Sequence, residues 1–78
     1  MGRLETTMLT GGVVLAEAVT QAIRQDPQTA ATRVDVQSRF GQVDITGVAG
    51  NSTIARRIEY VATHVPGVQG VHNMTAIR

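Results

Sequence analysis

Cysteine is absent from the sequence, and with it go disulfide staples, thiolate nucleophiles and every sulfur-ligated metal site. That absence leaves the redox compartment open. Tryptophan is also missing, and Phe40 and Tyr60 are the only aromatic residues, so any core must be aliphatic. Lysine is missing too: all seven basic residues are Arg, set against six acidic ones for a net charge of +1. A charge so nearly balanced lacks the concentrated positive surface that a duplex-DNA binder needs to neutralise many phosphates. The Arg-only basic set calls for no special chemistry, because a GC-rich coding sequence produces it. The uncharged stretch Thr6–Ala16 is broken by Thr10, Gly11 and Gly12 and is too short to span a bilayer. The opening residues lack the basic region, apolar run and small-residue cleavage site of a signal peptide.

What is present fits one small domain. A chain of 78 residues can wrap only a single core, and at this size it hides roughly 60% of the surface its unfolded form exposes. Met1–Gly12 is weakly patterned and reads as a tail or linker, with a short extra strand near Thr6–Leu9 as the alternative. From Val13 the pattern sharpens. Leu15, Val19, Ala22 and Ile23 recur at helical spacing, and Pro27 stops that helix near Gln25 by forcing Asp26 out of the helical region.

Beyond a Thr- and Ala-rich loop the period drops to two. Val34 and Val36 alternate with polar residues, as do Val43 and Ile45, which predicts two strands with one buried face each. Phe40-Gly41 joins them as a hairpin, and since Phe tolerates positive φ poorly, the turn is expected to place only Gly41 there. Gly47 and Gly50 mark the exit, and Asn51 or Ser52 caps a second helix through Ile54, Ile58, Val61, Ala62 and Val65. Pro66-Gly67 ends that helix. A third strand falls within Val68–Arg78, its inner parity shared by Val71, Asn73, Thr75 and Ile77. The expected fold is α+β: an αββαβ two-layer sandwich in which two helices cover one face of a three-stranded sheet. Its expected inner set is Leu15, Val19, Ile23, Val34, Val36, Val43, Ile45, Ile54, Ile58, Val61, Val65, Val68, Val71 and Ile77.

Catalysis is hard to build from these residues. His64 and His72 have no carboxylate or hydroxyl partner nearby in sequence, so neither is a candidate base. His64 suits the C-terminal end of the second helix, where an imidazolium favours the helix dipole, and His72 has the outward parity of a solvated strand residue. Two imidazoles fall short of the three or four ligands tetrahedral zinc requires, so no metal, cofactor or catalytic residue is expected. Gly67-Val68-Gln69-Gly70 matches the GxxG string of KH-type RNA-binding domains, but it lies between a helix and a strand and lacks basic neighbours. Nucleic acid is therefore disfavoured as a partner. Asn51-Ser52-Thr53 and Asn73-Met74-Thr75 match the glycosylation acceptor pattern, a string short enough to arise by chance.

The surface candidates are Arg56, Arg57, Tyr60 and Phe40. Two adjacent guanidinium groups and an amphipathic ring one turn along a helix could dock on anionic head groups, with Phe40 a second exposed aromatic at the hairpin tip. An ordinary solvated helix face is the competing reading. Gly41, Gly47, Asn51 and Gly67 are assigned to turns and caps.

From Leu15 to Ile77 the chain resembles the BON domain, a small bacterial module. The similarity rests on Val19 and Ile23 followed by Asp26-Pro27, on Val34-Asp35-Val36, on Gly41-Gln42-Val43-Asp44-Ile45-Thr46-Gly47, and on Pro66-Gly67-Val68-Gln69-Gly70-Val71-His72-Asn73. Phe40 departs from it, since an acidic or amide residue usually precedes the turn glycine, and Thr75 stands where an aliphatic residue is common. The resemblance implies a non-enzymatic module that binds anionic phospholipid or envelope proteins, in the periplasm or cell envelope. A protein-interaction or oligomerisation domain, cytoplasmic within a multidomain regulatory chain, is the alternative. For that reading the helix-free sheet face would carry Asp35, Gln37, Asp44, Thr46, His72 and Met74.

Overall fold

The computed structural model describes residues 11–78, with side chains from Val14 onward. The elements follow in the order α1 (Gly11–Gln25), β1 (Val34–Arg39), β2 (Gln42–Ala49), α2 (Ser52–Thr63) and β3 (Gly70–Ile77). The reading of residues 1–10 as tail or extra strand lies outside the described residues. Gly11 and Gly12, expected to belong to the tail, are already helical.

The three strands form one sheet in the order β1-β2-β3, with β1 antiparallel to β2 and β2 parallel to β3. A parallel pair needs a crossover, and α2 supplies it. Both helices lie on the same face. Val19 and Ile23 of α1, Ile58 and Ala62 of α2, and Val43 and Ile45 of β2 meet in one cluster with no exposed surface. β2 is covered on the helix side and paired along both edges, which explains why its inward residues are the deepest. The edge strands sit under a helix flank, so Val34, Val36 and Val71 are only half-buried. At about 1.5–3 kcal/mol per fully buried aliphatic side chain, this small cluster carries the fold.

The element boundaries show what local chemistry does. α1 stops where Pro27 demands it, and the loose carbonyl of Ile23 accepts from the fully buried Thr29 hydroxyl at 2.6 Å. α2 starts at Asn51, whose extended backbone and side-chain oxygen, 2.9 Å from the Ile54 N–H, make the expected N-cap. It ends earlier than its periodicity suggests, at Thr63, with His64 as C-cap. Val65-Pro66-Gly67-Val68 is then a separate turn, closed by Val68 N–H to the Val65 carbonyl at 3.1 Å, with Pro second and Gly67 third at φ +96°. That is a type II pattern, so Gly67 serves a turn rather than the helix end.

Two expectations are corrected. Gly47 does not leave the hairpin. It sits inside β2, opposite Val34 on one side and Thr75 on the other, and the ladder runs on to Ala49, which is fully buried. Glycine is needed there because φ is +150° and a Cβ would lie 2.6 Å from the Arg33 carbonyl oxygen. Ile77 is 54% exposed despite its inward parity: it ends an edge strand, whereas its row partner Ala49 on the central strand is fully buried. The polar residues between are explained by hydrogen bonds. Asn73 Nδ2 donates to the Ala55 carbonyl of α2 at 2.8 Å, and Asn73 Oδ1 accepts from the Thr75 N–H and hydroxyl. A polar pair thus ties β3 to the helix above it.

Candidate functional site

β1 and β2 pair without interruption as far as Arg39 and Gln42, leaving only Phe40 and Gly41 to reverse the chain. A two-residue loop between right-twisted strands selects a mirror-image turn, and the I′ form needs positive φ at both positions. Phe40 has φ +54° and Gly41 φ +82°. The turn therefore differs from the expected one: the demand of the tight register overrides the reluctance of Phe. The loop is also stitched to β3, since the Gly41 carbonyl accepts from Gln69 N–H at 2.8 Å and Gly70 N–H at 3.4 Å. Val68 and Gln69 of the GxxG string are thereby used in packing and in closing this corner.

The Phe40 ring is 91% exposed. A bulky residue in the left-handed region costs about 1–2 kcal/mol, and here no burial of the ring offsets it. Arg39, exposed beside it, is a candidate that pattern reading missed. The signal was the Arg-Phe-Gly string itself, a cation and an aromatic placed directly at a turn.

Arg57 behaves differently from the expected free cation. Its Nε donates to Asp26 Oδ2 at 2.8 Å and its Nη2 lies 2.7 Å from the same oxygen, while Asp26 Oδ1 accepts from the Gln28 N–H at 2.8 Å. Asp26 is nearly buried, with a side chain 8% exposed. The Arg57 hydrogen bond, helped by the Gln28 N–H, holds the Asp26 carboxyl below the usual carboxylate range, and Asp26 raises Arg57 in turn. This pair clamps the end of α1 to the middle of α2. The Arg57 guanidinium carbon also lies 4.8 Å from the centre of the Tyr60 ring, so it is Arg57, not Arg56, that stacks on the tyrosine. Tyr60 and His64 follow one another along α2 with ring centres 4.2 Å apart, and His64 Nδ1 is 2.7 Å from the Tyr60 carbonyl oxygen. Tyr60 and His64 flank a shallow apolar groove between the helices, floored by Ala18, Ala22, Val61 and Val65.

The four surface candidates are therefore not one patch. Arg57 and Tyr60 come together, with Arg57 engaged by Asp26. Arg56 is exposed on the first half of α2. Phe40 stands at the end of the sheet where β3 begins, the end toward which α2 runs. On the helix-free face, Asp35, Gln37, Asp44, Thr46, His72 and Met74 are all exposed, as expected from their parity, and His72 Nδ1 is 3.8 Å from Asp44 Oδ1. Val48 and Met74 add apolar surface there, 49% and 44% exposed. Among the described residues no three His, Asp or Glu side chains gather to hold a metal ion, and no helix is long and apolar enough to cross a membrane.

The fold is an αββαβ sandwich with Phe40, Arg56 and Tyr60 exposed on its surface and Asp26 paired with Arg57 beneath it. Comparison with protein families makes the class specific: the model of the BON domain matches residues 13–78, and the chain belongs to that family. No curated protein matches the sequence.

Proposed function

We propose that this domain is a non-catalytic binding module that docks on anionic phospholipid surfaces of the cell envelope, leading with its β-hairpin tip. The observation that carries the reading is Phe40: an exposed aromatic ring held at φ +54°, on a two-residue turn pinned to β3, where a polar residue would be less strained. Such a ring is pre-organised, so little conformational freedom is lost when it enters the head-group layer. Burying it contributes about 1.5–3 kcal/mol, the larger part of the attraction. Arg39 beside it adds about 1 kcal/mol near an anionic surface. Arg56 supplies a further charge at longer range, and Arg57, being paired, supplies none. Membership of the BON family supports the same reading.

Co-sedimentation with phosphatidylglycerol vesicles at low salt tests it. Binding should fall at least tenfold in Phe40→Asn and about fivefold in Arg39→Gln, and should weaken with added salt. Binding that survives both substitutions unchanged would remove the tip from the account. The uncovered sheet face, with Val48 and Met74 exposed, favours a protein partner as the second reading. Charge substitution at Met74 separates the two, because it leaves the hairpin tip intact.

A further inference from the structure

We propose that β1 is a self-association edge: two copies of this chain join β1 to β1 antiparallel about a two-fold axis through Gln37, giving a continuous six-stranded sheet. β1 pairs with β2 along one side only, so its other side presents alternate N–H and C=O groups. Val34–Arg39 contains neither Pro nor Gly and pairs with β2 row by row without a bulge. It lacks those two devices that blunt an edge. Its inward residues Val34 and Val36 are half-exposed, and with Ser38 they border an open groove under α1, whose other wall is Ala16 and Thr20. Inward side chains of an added strand would project into that groove. Ser38 Oγ is the one buried side-chain polar atom, among the described residues, without a hydrogen-bond partner.

Charge then selects the partner and the register. Asp35 and Arg39 are exposed, and neither forms an ion pair among the described residues. With Gln37 opposite Gln37, Asp35 of each copy faces Arg39 of the other, twice, and Val36 faces Ser38. Moving the axis to Val36 sets Arg33 opposite Arg39, like against like; moving it to Asp35 sets two carboxylates together; moving it to Ser38 leaves Arg39 facing Gln37. An axis at Val34 also sets Asp35 opposite Arg33, but it overlaps the two β1 strands at Val34 alone; the Gln37 register is the one that pairs opposite charges at both ends while the strands overlap from Asp35 to Arg39. β3, the other edge, offers no such code: His72 is its only titratable side chain, and Asn73 and Thr75 are occupied with each other and with α2. The interface is isologous and closes on itself as a dimer. In it the two hairpin tips point in opposite directions, so one dimer cannot set both Phe40 rings into one flat surface.

The absence of cysteine makes the test clean. In the proposed register the Cα atoms of the two Gln37 residues are about 4.5–5.5 Å apart, within the span of a disulfide of roughly 4.4–6.8 Å. Sedimentation equilibrium of the unaltered chain should show a monomer–dimer equilibrium, and mild oxidation of Gln37→Cys should trap a covalent dimer, whereas Thr46→Cys on the central strand should not. Asp35→Arg should weaken the dimer about tenfold, and Arg39→Asp added to it should restore association, with unchanged thermal melts in both at concentrations low enough to keep the chain monomeric. A chain that remains monomeric up to about 1 mM, or a Gln37→Cys variant that links no faster than Thr46→Cys, would overturn the proposal. Failure of the double variant to recover would overturn the register.

Discussion

Replacing Phe40 with Asn should make the domain more stable while making it a poorer binder. The stability half follows from geometry alone. Phe40 holds φ +54° with its ring 91% exposed, so its truncation uncovers almost no buried surface and leaves no cavity. The left-handed region costs an ordinary L-residue about 1–2 kcal/mol, and Asn offsets much of this through local hydrogen bonds of its short amide. Asn-Gly is also the preferred pair for a two-residue I′ hairpin. The expected gain is therefore about 1 kcal/mol, which for a domain of this length raises Tm by about 4–8 °C. Thermal unfolding followed by circular dichroism, with urea titration for the free energy, measures it. A Tm lowered by several degrees would refute the reasoning, since it would mean the ring stabilises the fold through contacts the structure lacks. A stabilised variant that has lost vesicle binding would show that strain at the tip is tolerated for the sake of the aromatic.

Other consequences are as direct. The Asp26–Arg57 pair should make stability depend on acid: Asp26 titrates below its usual value of 3.8 in the folded chain, so its contribution is complete above about pH 4 and is lost as pH falls through the depressed value. Urea midpoints between pH 2 and pH 6 should show that slope, and Asp26→Asn should flatten it. Gly47→Ala should destabilise by about 1–3 kcal/mol, because the new methyl meets the Arg33 carbonyl at a φ that L-residues avoid. Gly50→Ala is the control, expected to be neutral or slightly stabilising, since the nearest atom to its Cβ is Ile54 Cδ1 at 3.8 Å. Asn73→Ala should cost about 1–2 kcal/mol in urea titrations by removing the link from β3 to the Ala55 carbonyl.

Much of the fold can be read from periodicity. The switch from 3.6 to 2 and back locates the five elements of the described residues, and it marks Val19, Ile23, Val43, Ile45 and Ile58 as central. What escapes is set by tertiary geometry. No local pattern tells that Gly47 lies within a strand, because its need is the approach of the Arg33 carbonyl from the neighbouring strand. Ala49 and Thr29, fully buried, carry too little hydrophobic signal on their own to mark a core. Ile77 has the right parity but ends an edge strand, where it is exposed while its row partner Ala49 is buried. At the candidate site, Phe40 was visible as an oddity beside a turn glycine, whereas the strain that gives it meaning appears only once the register leaves two residues for the reversal. Arg57 and Arg56 look alike in sequence. The return of the chain at Pro27, which brings Asp26 to one of them and not the other, separates their roles.

The surface-docking account is tested most directly by Phe40→Trp, which in a chain without tryptophan creates a single fluorescent probe at the hairpin tip. On addition of phosphatidylglycerol vesicles its emission should shift to the blue and be quenched by lipids brominated along their acyl chains. Emission that stays at the water-exposed wavelength under conditions where the domain co-sediments with those vesicles would contradict it, because the protein would then be holding the membrane by some other surface.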